Sequence, residues 1–463
     1  MKTNRLMLWS ALTVLFIVAL AAAAFAEDPA APTPTPEPAA TPARLPFRLD
    51  FDFQTFTLLQ NDRDFDRTKP LYNKYGQSIG YVSTVLIPGI TWMPIDQIVV
   101  RYSPRIGDAV WSRNDAEQRA VAGDNGILIQ TREMWGQVDL GSSLSLRTGY
   151  YQVFDPTHLF IERYIGAANV TYEAGGNRLT LMAGQLPDSV YETTAPSSPA
   201  GELEFNNFDN DRVLFGLDAA MLAGENWLVN PAMFALWDRT EIDRARTIVN
   251  TSMLIFARYT HWNLELDLAW QLGQHRSAGP NNRDVNLSAG AAQVRFHAFT
   301  GPWQFGTTLL GFTADNGNPN DQYDTGFTYS GKSGAETLML TRNHLYDQYD
   351  SLDLRAATQG AGFLLADEEI RFSPIPQTLD VFGVVGYGRV VNTTNLGDDP
   401  TVGIEGDLGL QWFLYDRRVI FTVLGGGLWP GGAGARLKNE IDLTARDPIY
   451  YGQGNMEIRF NGL

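Results

Sequence analysis

From Val402 to Leu414 apolar and polar positions alternate. Val402, Ile404, Gly406, Leu408, Leu410, Trp412 and Leu414 take one set of positions, and Gly403, Glu405, Asp407, Gly409, Gln411 and Phe413 take the other. A period of two puts the two sets on opposite faces of a strand. Asp416-Arg417 makes a tight turn, and Val419 to Trp429 runs back. The return is less clean, because Ile420 and Leu424 put apolar groups on both faces. At about 12 residues, each strand is longer than the usual five or six of a soluble sheet. That length suits a tilted strand crossing a bilayer. Trp412, Tyr415 and Trp429 near the strand ends suit aromatic girdles at the two interfaces.

The same alternation recurs along the chain. Phe47, Leu49, Phe51 and Phe53 share one face of a first strand, and Arg48, Asp50, Asp52 and Gln54 share the other. Leu264, Leu266, Leu268, Trp270 and Leu272 face away from Glu265, Asp267, Gln271 and Gly273. After the first strand, others are predicted at 77–92, 97–106, 126–140, 143–154, 161–174, 177–187, 209–221, 226–238, 246–260, 262–274, 285–299, 303–315, 361–373, 378–392, 401–415, 418–429 and 453–462. That makes about 18, an even number, as single-chain bacterial barrels have.

Short connections with turn chemistry lie at 93–96, 141–142, 175–176, 223–225, 301–302, 374–376 and 416–417, and another short one, without that chemistry, lies at 260–262. Longer loops at 57–76, 107–125, 188–208, 275–284, 316–360 and 430–452 come between them. Short periplasmic turns and long extracellular loops are the asymmetry of an outer-membrane barrel. The fold class is therefore all-β, a transmembrane antiparallel up-and-down β-barrel of about 18 strands. A charged face turned inward and an apolar face turned outward make a water-filled lumen in lipid.

Composition agrees with this. Residues 1–26 read as a signal peptide, with basic Lys2 and Arg5, an apolar Leu6 to Ala23 and an Ala24-Phe25-Ala26 cleavage site. Residues 27–46 form a Pro/Ala-rich periplasmic linker, a spacer or a tether toward a periplasmic partner, and 47–463 form the barrel. Past the signal no run of 18 apolar residues exists, so no spanning helix is expected. Once Lys2 and Arg5 are removed, 33 basic residues face 52 acidic ones, which excludes a basic footprint for nucleic acid. There is no cysteine, hence no thiolate chemistry and no disulfide.

The five histidines, His158, His261, His275, His297 and His344, accompany no Gly-x-Ser-x-Gly, no HExxH and no phosphate loop, so no enzyme is expected. No cofactor and no metal are expected either. The oxygen-rich run Asp315 to Asp321 reads as a solvated turn, since it lacks the closing acid of a calcium loop. The partners implied are outer-membrane lipid and a hydrophilic solute or polysaccharide. Candidate pore-lining charges are Arg147, Arg163, Arg212, Arg258, Glu265, Asp267, Arg295, Glu405, Asp407, Glu457 and Arg459. Opposed charges at a constriction create a transverse field that sorts solutes. A different reading is a structural or adhesive surface barrel with a blocked lumen and partner-binding loops.

Two places resemble the alginate export family of outer-membrane barrels. Ala183-Gly184-Gln185-Leu186 before a long loop, and Phe208-Asp209-Asn210-Asp211-Arg212-Val213 after it, are similar to that family's Gly-Arg-Gln and Phe-Asp-Gly-x-Arg strands. Gly403-Ile404-Glu405-x-Asp407-Leu408 with Leu428-Trp429-Pro430-Gly431 is similar to its Gly-x-Glu strand and apolar-Pro-Gly partner. The resemblance implies 18 strands, a pore-lining Arg212, an inward Glu405 and polysaccharide export. Gln185 departs from it, standing where the family has arginine. The signal reading predicts a mature chain that begins at Glu27, checked by intact mass of protein recovered from outer membranes.

Overall fold

The computed structural model describes residues 46–60, 79–110, 129–186, 212–238, 245–279, 283–316, 323–327, 340, 360–394, 396–438 and 446–461. The signal, linker residues 27–45, residues 208–211 of the first family match, residues 317–321 of the oxygen-rich run and nearly all of 328–359 lie outside them. Eighteen long strands form one sheet. They are β1 (Phe47–Gln60), β2 (Ile79–Ile95), β3 (Ile98–Val110), β4 (Ile129–Leu140), β5 (Leu144–Phe154), β6 (Glu162–Ala174), β7 (Asn177–Leu186), β8 (Arg212–Ala223) and β9 (Trp227–Asp238). The second half is β10 (Arg246–Arg258), β11 (Trp262–Gly279), β12 (Arg283–Thr300), β13 (Trp303–Phe312), β14 (Phe363–Ile375), β15 (Leu379–Val390), β16 (Thr401–Leu414), β17 (Val419–Pro430) and β18 (Ile449–Asn461).

Each strand pairs antiparallel with its neighbours in sequence, and β1 also pairs with β18, from Asp50↔Asn461 to Gln60↔Tyr451. The sheet closes, so no edge is left with unpaired backbone groups. A two-residue fragment, Tyr323–Asp324, pairs parallel with β12 from within the connection that follows β13.

The short connections gather at one end, which also holds Phe47 and Asn461. The turn at Asp416-Arg417 is as predicted: both residues take positive φ, 54° and 64°, the geometry that matches strand twist in a hairpin. Exposed Trp92, Trp227, Trp303, Trp412 and Tyr415 ring this end, and Trp237, Trp429 and Tyr450 stand toward the other. Between them the outward rows are exposed and apolar, as at Ile404, Leu408 and Leu410. Exposed aliphatic side chains in continuous rows between aromatic girdles are the lipid-facing belt of an outer-membrane barrel.

Two details differ from the alternation read in the sequence. Val402 does not share the exposed face of Ile404; it is buried. Gly403 pairs with Gly388 while Thr401 pairs with Arg389, so Val402 is the extra residue of a bulge, and a bulge shifts the face. The loop after β17 contains a helix, α1 (Gly432–Lys438), which the strand pattern missed. Its Gly434 packs so close that a Cβ would lie 1.9 Å from the Val402 carbonyl, so only glycine fits. Asp399 accepts from the amides of Thr401 (3.0 Å) and Gly432 (2.7 Å), which holds its carboxyl below the ordinary range. The support it lends is therefore present above the ordinary carboxyl range and fades as pH falls through the lowered value.

Leu408 is 66% exposed at the middle of β16. Replacing it with arginine puts a charge near the bilayer midplane, at a cost of about 2–4 kcal/mol. Leu408→Arg is expected to lower the unfolding free energy, measured by urea titration of the barrel in lipid vesicles, by that amount. A water-facing residue would show almost no change.

Candidate functional site

The inward rows of β14 to β18 carry six buried carboxylates: Asp367, Glu369, Asp380, Glu405, Asp407 and Glu457. Only two arginines answer them on these strands' inward rows. Arg371 reaches Glu369 at 2.7 Å, Asp380 at 3.6 Å and the Gln411 amide oxygen at 2.8 Å, beneath the Phe382 ring. Arg459 meets Glu457 at 2.5 Å. Higher on this wall the Tyr451 hydroxyl lies between Glu405, at 2.8 Å, and Asp407. The other Glu405 oxygen accepts the Leu340 amide at 2.7 Å. Glu405 thus fastens part of the long connection between β13 and β14 inside the barrel.

On β1 to β4 a single arginine gathers charge. Arg101 grips Asp50 through both terminal nitrogens at 2.9 Å and Glu133 through Nε at 2.5 Å. A bidentate, charge-assisted grip of this kind has strong directional preference.

The wall opposite the carboxylates is richer in arginine. Arg147 hydrogen-bonds Gln137 (2.8 and 3.0 Å) and lies over the rings of Trp135 and Tyr151. Arg163 stands in the inward row opposite Val153. Arg178 lies 3.5 Å from Asp218, and Arg212 pairs with Asp238 at 3.1 Å. A polar cavity of about 460 Å³ lies against this wall near the short turns, lined in part by Asp139, Arg147, Asn169, Thr171 and Arg178.

The connection 155–161, between β5 and β6, turns inward. Asp155, Thr157, Leu159, Phe160 and Ile161 are all buried. The Asp155 carboxylate accepts the amides of Phe160 (2.9 Å), Ile161 (2.8 Å) and Thr157 (3.2 Å), and the Thr157 hydroxyl as well. Such self-bonding lets a loop enter the interior without orphaned amides. Its apolar residues join a buried cluster with Ile165, Leu214, Phe234, Phe312, Phe327, Leu340 and Phe363. The lumen is therefore narrowed from within by apolar packing on one side and bordered by charge on the other.

The predicted residues fall into distinct places. Glu265 pairs with Arg295, Glu457 with Arg459, and Arg212 with Asp238. Asp267 is buried and accepts from Gln293 at 3.0 Å. Glu405 and Asp407 meet through Tyr451. Arg258 is exposed at the short-turn end, opposite Asn263. The two halves of one family motif meet in the register, Leu186 opposite Arg212, but Gln185 is exposed on the outer face and lines nothing. Not anticipated were Asp155, Arg101 and Glu133 as partners of the inward Asp50, and the row Asp367, Glu369 and Arg371. The last was legible as inward alternation on a predicted strand. Asp155 carried no periodic signal, since it lies in a connection.

Neither a family model nor a curated protein matches the chain. Solved structures do. OccK8 (OprE) of Pseudomonas aeruginosa is 9% identical with a TM-score of 0.56, over 90% of this chain and 98% of its own. OccAB3 of Acinetobacter baumannii is 9% identical with a TM-score of 0.55, over 90% and 99%. A BenF-like porin from Pseudomonas fluorescens Pf-5 is 11% identical with a TM-score of 0.53, over 90% and 98%. At such low identity the likeness is one of fold: an 18-stranded, porin-like barrel of the outer-membrane type.

Proposed function

We propose that the protein is a channel through which small hydrophilic solutes cross the outer membrane. The observation that carries this reading is the closed ring with a lipid-facing belt and opposed charged rows inside. Such a ring encloses water and filters by charge; the reading assigns it no covalent chemistry. The porin named among the structures of similar fold supports it. Small solutes suit the interior better than a polysaccharide, because segment 155–161 and Leu340 occupy space that a threaded polymer needs. Polysaccharide export rests on the two short motif matches alone. The buried carboxylates on β14 to β18 outnumber the arginines there, so cations are the preferred ions.

A second reading has an observation of its own. The apolar cluster inside the barrel is continuous from Tyr151 to Tyr451, as in a plugged structural or adhesive barrel. Conductance separates the two. Purified protein in planar bilayers is expected to give steady ohmic steps whose reversal potential in a KCl gradient favours potassium, with Asp407→Asn reducing that preference. A silent membrane selects the plugged barrel.

The segment 155–161 supplies a second test. Removing the Asp155 carboxylate leaves the Phe160 and Ile161 amides buried without acceptors, at about 1–3 kcal/mol each. Asp155→Ala is expected to loosen the segment and raise single-channel conductance, with added current noise. Unchanged conductance places the segment off the permeation path.

A further inference from the structure

Against segment 155–161 the inward faces of β8 to β12 form a ring of polar side chains around small ones. One row runs Asn230, Leu254, Asp267 and Gln293. Two residues farther from the short turns it runs Asp218, Ala232, Ser252, Ala269 and Ala291. The next holds Phe234, Asn250, Gln271 and Ala289. Ser252 is central, with an alanine on either side and the longer polar groups around it.

The middle of the ring is buried: Asn250, Asp267 and Gln271 are 0% exposed, and Ser252 is 5%, while Asp218 and Leu254 at its border are half-buried. Yet Asp267 Oδ1, Ser252 Oγ, Asn230 Oδ1 and both amide atoms of Asn250 have no hydrogen-bond partner. Each such atom keeps the full penalty of lost hydration when nothing occupies the space before it. Four of these five atoms are oxygens.

The charge balance points the same way. Asp155 acts electrostatically on both Asp218 and Asp267. Arg178 answers Asp218 at 3.5 Å. No described cation answers Asp267, whose one hydrogen bond comes from Gln293. Oxygens of carboxylate, hydroxyl and amide are ligands for hard cations. No group of three or more acidic or histidine side chains able to hold a metal exists among the described residues, so a divalent ion lacks its charge complement. One uncompensated carboxylate with neutral oxygens around it matches one positive charge.

We propose that this ring binds a single monovalent cation, either an alkali ion or the ammonium head of a small solute. Asp267 supplies the charge, Ser252 and Asn230 supply neutral oxygens, and segment 155–161 closes the site. The site stands on buried geometry and does not depend on whether the lumen conducts.

The test is calorimetric titration of the full-length protein in detergent with rubidium chloride, at constant ionic strength in choline chloride. One saturable site per chain is expected. Asp267→Asn and Ser252→Ala are each expected to weaken it at least about tenfold, while Arg417→Ala in the exposed turn leaves it unchanged. Competition by methylammonium identifies an ammonium-accepting site; rubidium binding without competition identifies an alkali site. Barrel assembly of each variant is checked by its heat-dependent gel mobility. If Asp267→Asn does not assemble, Ser252→Ala alone decides. The absence of saturable binding to the unaltered protein, or undiminished binding in the assembled variants, overturns the proposal.

Discussion

The constraint on which the structure depends is the pairing of backbone amides and carbonyls in a medium without water. In hydrocarbon each unpaired group costs several kcal/mol, and an open sheet always leaves two edges unpaired. Closure through β1 and β18 removes both edges at once, over the register from Asp50↔Asn461 to Gln60↔Tyr451. Strict alternation follows from closure. Once the outside is lipid, each second residue must be apolar, and the others are released to face one another inside.

Those inner rows show how a barrel with a bilayer outside still builds a core. Phe234, Phe312 and Phe363 point inward and meet Leu159, Phe160 and Ile161, which arrive from a connection. Asp155 makes that arrival affordable by accepting three amides of its own loop. Glu405 does the same for Leu340. In both places a carboxylate satisfies backbone donors where no strand partner is available, so apolar side chains from a loop can be stowed in the lumen. Each of these acids is thereby committed to holding a loop as well as lining a pore.

The remaining charges are distributed unevenly. Carboxylates concentrate on β14 to β18, and arginines stand on β5 to β8. Many are locked in pairs, as Glu265 with Arg295 and Arg212 with Asp238, so their fields largely cancel. What is left over is local: the buried carboxylates of β14 to β18 outnumber the inward arginines there, and Asp267 has no described cation beside it. Selectivity in such a lumen is a matter of which charges are unpaired, more than of how many point inward.

The strand count, the alternation, the short and long connections and the inward direction of Glu405, Asp407 and Asp267 were all legible in the chain itself. They are local properties: a period of two and the chemistry of turns operate over a few residues, and a bilayer demands both without exception. The bulge at Val402, the helix after β17 and the partners of each charge were not legible. They depend on which strands lie side by side and on how far a connection folds back. Asp155 shows the difference most plainly. Nothing in its neighbourhood along the chain sets it apart, and only the closed ring, with a space inside to be filled, turns it into the residue that holds a loop within the barrel.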